Sequence, residues 1–210
     1  MNYTNFHGQP FLFINEDAGE FPLPVEKQEV DLTMHYRTVG EVIHCRFFNK
    51  DESEAELCGN ALLGLMQEKG KGAYIFQIKA GKLEGVNTGK ELRLGMKKAD
   101  VELLPVCENE SFSMFNVNVG NPHMICLDKK HFEPNPRGLT LTNFHSVIQK
   151  DNNTFEVRCF ERGVGETQAC GSGAYAVGSA MMQHFNLEEV NIEMKGGKYT
   201  VKPQTLIVKI

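Results

Sequence analysis

The residues with most chemistry to offer are Cys58 and Cys170. Each is followed directly by glycine and opens a stretch whose apolar residues recur at helical spacing. A thiol at a helix N-terminus lies beside free backbone N–H groups and the positive end of the macrodipole, so its pKa is expected to fall and its thiolate to become available near neutral pH. The same N–H groups, freed for contact by Gly59 and Gly171 and flanked by Asn60 and Ser172, form a nest suited to a carboxylate. Two such thiols on opposite sides of one carboxylate-bearing carbon can take a proton from one face and deliver another to the opposite face. The nest would stabilise the planar carbanion-like intermediate. That chemistry is stereoinversion by two bases.

Both cysteines belong to an internal repeat, found at an offset of 112 residues, the distance from Arg46 to Arg158. Without gaps, RFFNKDESEAELCGNA lies over RCFERGVGETQACGSG, matching Arg46 with Arg158, Phe48 with Phe160, Glu54 with Glu166 and Cys58 with Cys170. Polar Asn49 and Glu161 fall on the same offset. Short apolar runs bounded by Gly, Asn, Asp or Pro read as strands: Phe11 to Ile14, Val42 to Phe48, Tyr74 to Ile78, Phe112 to Val119, Phe155 to Phe160 and Leu206 to Ile210. Leu57, Ala61, Leu62, Leu65 and Met66 keep helical spacing instead, as do Ala174, Val177, Met181 and Phe185. The expected architecture is α+β: two similar lobes, 1–105 and 106–210, related by a pseudo-twofold, each a mainly antiparallel sheet with one helix. Duplication would set the two Cys-headed helices face to face across the interlobe cleft.

The net charge of −5, with lysines scattered in pairs, argues against a dedicated nucleic-acid binder. No apolar run approaches the ~20 residues that cross a bilayer, and the first ten residues lack a basic and an apolar region, so a cytoplasmic protein without membrane partners is expected. The size is compatible with a symmetric homodimer. Cys45, Cys107, Cys126 and Cys159 read as buried apolar residues on strands, and all six cysteines as reduced thiols. Competing patterns are weaker. Gly171 to Ala176 fits a dinucleotide motif but follows a polar loop, and His44-Cys45 and His123 with Cys126 lack a second ligand pair for a metal. A cysteine hydrolase pairing Cys170 with His123 or His145 leaves the duplicated Cys58 unexplained.

At FFNKDESEAELCGN, VNVGNPHMI, Asn143 in LTNFHSV, and RCFERGVGETQACGSGA, the sequence resembles the diaminopimelate epimerases, cofactor-independent isomerases of two lobes. The resemblance covers most of residues 40 to 180. It implies a sheet wrapped around a central helix in each lobe, with Cys58 and Cys170 as proton-transfer bases. It also implies that Gly59, Asn60, Gly171 and Ser172 hold the α-carboxylate and Glu161 the α-amino group. Asn49, Asn121, Asn143 and Arg162 would grip the distal end. The implied substrate is LL- or meso-diaminopimelate, on the way to lysine and peptidoglycan precursors, turned over without metal or pyridoxal cofactor. Departures from the family pattern are HGQPFLF in place of HGLGNDF, Leu63 in place of an arginine, and Tyr175 in CGSGAYA. These keep two alternatives open: a racemase of another amino acid, and a non-catalytic amino-acid-binding paralogue.

Overall fold

A computed structural model of the chain describes residues 1–18, 30–106, 111–132, 142–162 and 164–210. Cys107 lies outside them. The first half runs β1 (Asn2–Phe6), β2 (Gln9–Asn15), a 3-10 turn (Glu16–Ala18), β3 (Leu32–Val39), β4 (Val42–Asn49), β5 (Glu54–Ala55), α1 (Gly59–Lys69), β6 (Gly72–Ile78), β7 (Gly81–Asn87) and β8 (Glu91–Gly95). After β9 (Asp100–Leu104) the second half repeats the series: β10 (Ser113–Asn118), β11 (Pro122–Leu127), β12 (Asn143–Gln149), β13 (Thr154–Glu161), β14 (Gly165–Thr167), α2 (Gly171–Phe185), β15 (Val190–Met194), β16 (Gly197–Lys202) and β17 (Thr205–Lys209).

Pairing is duplicated as well. In the first half β2 and β3 are parallel, β3 and β4 antiparallel, β4 and β6 parallel, and β6, β7 and β8 antiparallel in turn. In the second, β11 and β12 are parallel, β12 and β13 antiparallel, β13 and β15 parallel, and β15, β16 and β17 antiparallel. The last strands of the halves, β8 and β17, pair antiparallel with Leu92 opposite Val208 and Leu94 opposite Leu206, so the pseudo-twofold axis passes through this joint. The sequence offset survives as contacts. Phe48 opposes Glu54 just as Phe160 opposes Glu166. Arg46 pairs with Glu54 at 3.0 Å over the Phe48 ring, and Arg158 with Glu166 at 2.8 Å over the Phe160 ring.

Among the described residues the strands form one continuous 17-stranded sheet, and each half of it curls around its own helix. Leu57 aside, the residues at helical spacing do lie on helices, and α1 is buried at every residue from Gly59 to Met66 and α2 at every residue from Gly171 to Met181. A helix buried all round needs small residues wherever a strand approaches. Gly178 is such a place, since a Cβ there would lie 2.6 Å from the Val201 side chain. The helix ends are closed locally. Asn87 Nδ2 donates to the Met66 carbonyl at 2.9 Å, and Asn186 ends α2 in the left-handed region with φ 52°.

Cys45, Cys126 and Cys159 are buried on β4, β11 and β13, and the five described cysteines are free thiols. Among the described residues no helix is long and apolar enough to cross a membrane.

Candidate active site

Helix α1 begins at Gly59 with Cys58 as its N-cap, and α2 at Gly171 with Cys170 as its N-cap. The two starts abut. A Cβ on Gly59 would lie 3.0 Å from Ser172 N, and one on Gly171 would lie 2.8 Å from Asn60 N and 2.6 Å from Asn60 Oδ1. Only glycine permits this approach of main chain to main chain. Two positive helix ends pointed at one place repel each other and favour an anion between them.

Beside this contact lies a narrow cleft, about 540 Å³ of empty space including the solvent at its mouth. Of the residues singled out from sequence, Cys58, Cys170, Gly59, Gly171, Ser172, Asn49, Asn121, Asn143, Glu161 and Arg162 line it. Asn60 does not. Its side chain is fully buried behind the wall, where Nδ2 donates to Gln9 Oε1 at 2.7 Å and Oδ1 accepts from the Tyr199 hydroxyl at 2.7 Å. What Asn60 can offer a ligand is its backbone N–H.

Gln9 was missed by sequence reasoning. It lines the cleft, is 4% exposed, and continues the same chain of bonds by donating from Nε2 to Glu161 Oε1 at 2.7 Å. The Thr167 hydroxyl donates to that oxygen at 2.6 Å. The two-residue turn His7-Gly8, both at positive φ, sets the position of Gln9. His7 stacks on Phe6 and meets Tyr199 edge-on at 4.9 Å, which docks the turn against the second half. The signal in the sequence was the departure HGQPFLF itself, a polar residue immediately after a retained His-Gly.

The electrostatics correct the expected thiol chemistry. Both thiols are pushed up, not down: Cys58 to about 12, and Cys170 well above the ordinary thiol range. Burial is the larger cause for each and the Glu161 charge the next. The N–H groups of Ala61 and Asn60 pull Cys58 back only in part, as do the Ser172 hydroxyl and Gly173 N–H for Cys170. Desolvation of a thiolate outweighs a few backbone dipoles. Glu161 is itself pushed up by burial. Replacing Glu161 by Gln removes a negative charge beside both sulfurs, so their pKa values fall and more thiolate exists at a given pH. Alkylation of Cys58 by iodoacetamide should therefore be faster in Glu161→Gln than in the parent protein across pH 7 to 9. Equal rates would show that the carboxylate does not govern the thiols.

The three asparagines lining the cleft are already engaged. Asn49 Nδ2 donates to Ser53 Oγ at 2.9 Å, and Asn143 accepts the Arg162 N–H at 3.0 Å and donates to the Pro122 carbonyl at 3.3 Å. Asn121 heads a chain whose directions can be assigned. Its Oδ1 accepts from His123 Nε2 at 2.9 Å, so His123 Nδ1 must accept from His145 Nε2 at 2.8 Å. Its Nδ2 donates to Ser172 Oγ at 3.4 Å, which leaves the serine proton free for Cys170 Sγ at 3.5 Å. Burial keeps both imidazoles neutral, with His145 pushed down to about 3 and His123 also well below its usual range. Neither ring bonds to Cys170, so the hydrolase pairing considered from sequence has no geometric basis, and His145 does not line the cleft.

The remaining departures are packing. Leu63 is buried in α1, and the Tyr175 hydroxyl donates to the Lys97 carbonyl at 2.9 Å.

Repeated halves of one sheet around two central helices, whose starts meet beside one cleft, define a class: the two-lobed epimerase fold. Among solved structures, a phenazine biosynthesis protein of the PhzF family from Bacillus anthracis superposes with a TM-score of 0.72 over 97% of this chain and 92% of that one, at 16% identity. A hydroxyproline epimerase from Agrobacterium vitis, solved with bound trans-4-hydroxy-L-proline, gives 0.63 over 84% and 72%, at 12% identity. At such identities the likeness is one of fold. In sequence, the family profile described as diaminopimelate epimerase matches residues 115–206. The diaminopimelate epimerase of Methanococcus maripaludis is 30% identical over 256 aligned positions, covering 96% of this chain and 91% of the relative. The chain belongs to the diaminopimelate epimerase family and is an isomerase of the amino-acid epimerase type.

Proposed function

We propose that the protein interconverts LL- and meso-2,6-diaminopimelate by two-base proton transfer at one α-carbon. One observation carries the reading: two repeated Cys-capped helices abut at Gly59 and Gly171 beside a cleft that also holds Glu161 and Arg162. In this reading the N–H groups at Gly59, Asn60, Gly171 and Ser172 hold the α-carboxylate, Glu161 holds the α-ammonium, and Arg162 with Asn49, Asn121 and Asn143 faces the distal end. The residues fall into the proposed lobes 1–105 and 106–210.

Substrate binding removes part of what raises the free thiols. An ammonium group placed on Glu161 offsets the charge that, after burial, raises both sulfurs, which favours thiolate where the α-proton is. The thiolate on one side takes that proton and becomes a thiol. The electron pair left on carbon spreads into the carboxylate, which the paired helix ends stabilise. The thiol on the other side gives its proton to the opposite face and becomes the thiolate. The cysteines have exchanged protonation states and the carbon has inverted.

The same chemistry on another amino acid is the second reading, favoured by the asparagine amides being engaged within the protein. The test is incubation of the reduced protein with LL-diaminopimelate and chromatographic separation of the isomers, alongside single amino acids. Appearance of the meso isomer is the expected result. It should fall about 10- to 100-fold in Arg162→Ala, because a charge-assisted contact to the distal carboxylate is lost. Racemisation of a single amino acid with none of diaminopimelate would replace the first reading by the second.

A further inference from the structure

Glu56 takes no part in the proton transfer described above, yet it lines the cleft. Its two oxygens are treated differently. Oε1 faces Lys79 Nζ at 3.5 Å, whereas Oε2 is shielded from solvent and has no hydrogen-bond partner among the described residues. The Arg162 guanidinium lies 3.7 Å from Oε2, an ion-pair distance too long for a hydrogen bond. A carboxylate oxygen hidden from water ordinarily accepts hydrogen bonds, so an orphan at a cleft wall marks a place where a ligand donor completes the set. The position is held by the main chain: Ala80 N–H donates to the Glu56 carbonyl at 3.1 Å, and Leu57 beside it is buried.

Resting on the diaminopimelate reading, we propose that Glu56 is a specificity-determining residue that takes the distal ammonium of the substrate while Arg162 takes the distal carboxylate. Charge balance selects the ligand. A distal end carrying only a carboxylate would bring that group to Arg162 next to the Glu56 anion, and one carrying only an ammonium would meet Arg162. A distal amino-acid end, with both charges on one carbon, satisfies both side chains at once. The Glu56 and Arg162 pair joins the two halves and presents one charge of each sign to the distal end, while Lys79 faces the other Glu56 oxygen.

Calorimetric binding and α-proton exchange, measured on the reduced protein and on Glu56→Gln, test the assignment. The ligands are diaminopimelate, 2-aminopimelate, which lacks the distal ammonium, and lysine, which lacks the distal carboxylate. The parent protein should bind diaminopimelate most tightly. Glu56→Gln should weaken that binding about 10- to 100-fold, the loss of one charge-assisted hydrogen bond, and should not weaken binding of 2-aminopimelate. Glu56→Asp, which keeps the charge and shortens the arm, should lose less than the glutamine variant on diaminopimelate. Equal weakening for diaminopimelate and 2-aminopimelate would mean that Glu56 only joins the halves, and would overturn the proposal while leaving the function intact. Failure of the parent protein to bind diaminopimelate would overturn both.

Discussion

Cys58→Ala and Cys170→Ala should each lower isomer interconversion by about 10²–10⁴-fold, the usual worth of a positioned proton-transfer group. That loss corresponds to about 3–5 kcal/mol of transition-state stabilisation. Neither thiol can cover for the other, because inversion needs removal and delivery on opposite faces of one carbon. A single variant keeps one base, so it should still exchange the α-proton of the stereoisomer that presents its hydrogen to that sulfur. The two variants should therefore retain exchange on opposite isomers. This complementary pattern distinguishes a two-sided site from one active cysteine with a structural twin. Exchange rates of both isomers in both variants, read by proton NMR, check it. Loss confined to one cysteine would contradict the symmetric assignment.

Gly171→Ala should be nearly as damaging although it removes no functional group. The added methyl carbon would sit 2.6 Å from Asn60 Oδ1 and 2.8 Å from Asn60 N. Asn60 cannot step aside, since its amide is held by Gln9 and the Tyr199 hydroxyl. The halves must part, at about 1–3 kcal/mol of overpacking, and the sulfurs move off the shared carbon. A displacement near 1 Å costs about 10²-fold in rate, so activity should fall by that order with a lower Tm. Gly64→Ala is the matched control. It lies within α1, its Cβ would meet nothing closer than Phe13 Cζ at 3.4 Å, and alanine favours helix. Comparable losses in the two variants would show that contact between the helix starts is not special.

How much of this could be read from the sequence depends on whether the property was local. The repeat offset equated Phe48 with Phe160 and Glu54 with Glu166, and the fold keeps that equivalence, with Phe48 opposite Glu54 and Phe160 opposite Glu166, because strand, loop and helix start follow one another without insertions. The helices were located by apolar spacing, but their complete burial was not legible, since it depends on how far each sheet curls. The thiol pKa was read in the wrong direction. A helix N-terminus is visible in a sequence, whereas desolvation and the approach of Glu161 from the adjoining β13 are tertiary facts. Gln9 and Glu56 were missed for a related reason. Each looks like an ordinary polar residue beside an edge or turn, and only folding brings Gln9 to Glu161 and Glu56 to Arg162. The asparagines do line the cleft, yet much of their hydrogen-bonding capacity is spent on turns and neighbouring main chain.

The central claim is that two sulfurs serve one α-carbon from opposite faces. Its most direct test is early turnover of LL-diaminopimelate by the reduced protein in D₂O, with deuterium followed separately in the remaining substrate and the product. If one cysteine removes the proton and the other delivers a solvent-derived one, the meso product carries deuterium at the inverted carbon while the remaining LL isomer still carries hydrogen. Deuterium accumulating equally in substrate and product, or inversion that returns the original hydrogen, would contradict the account.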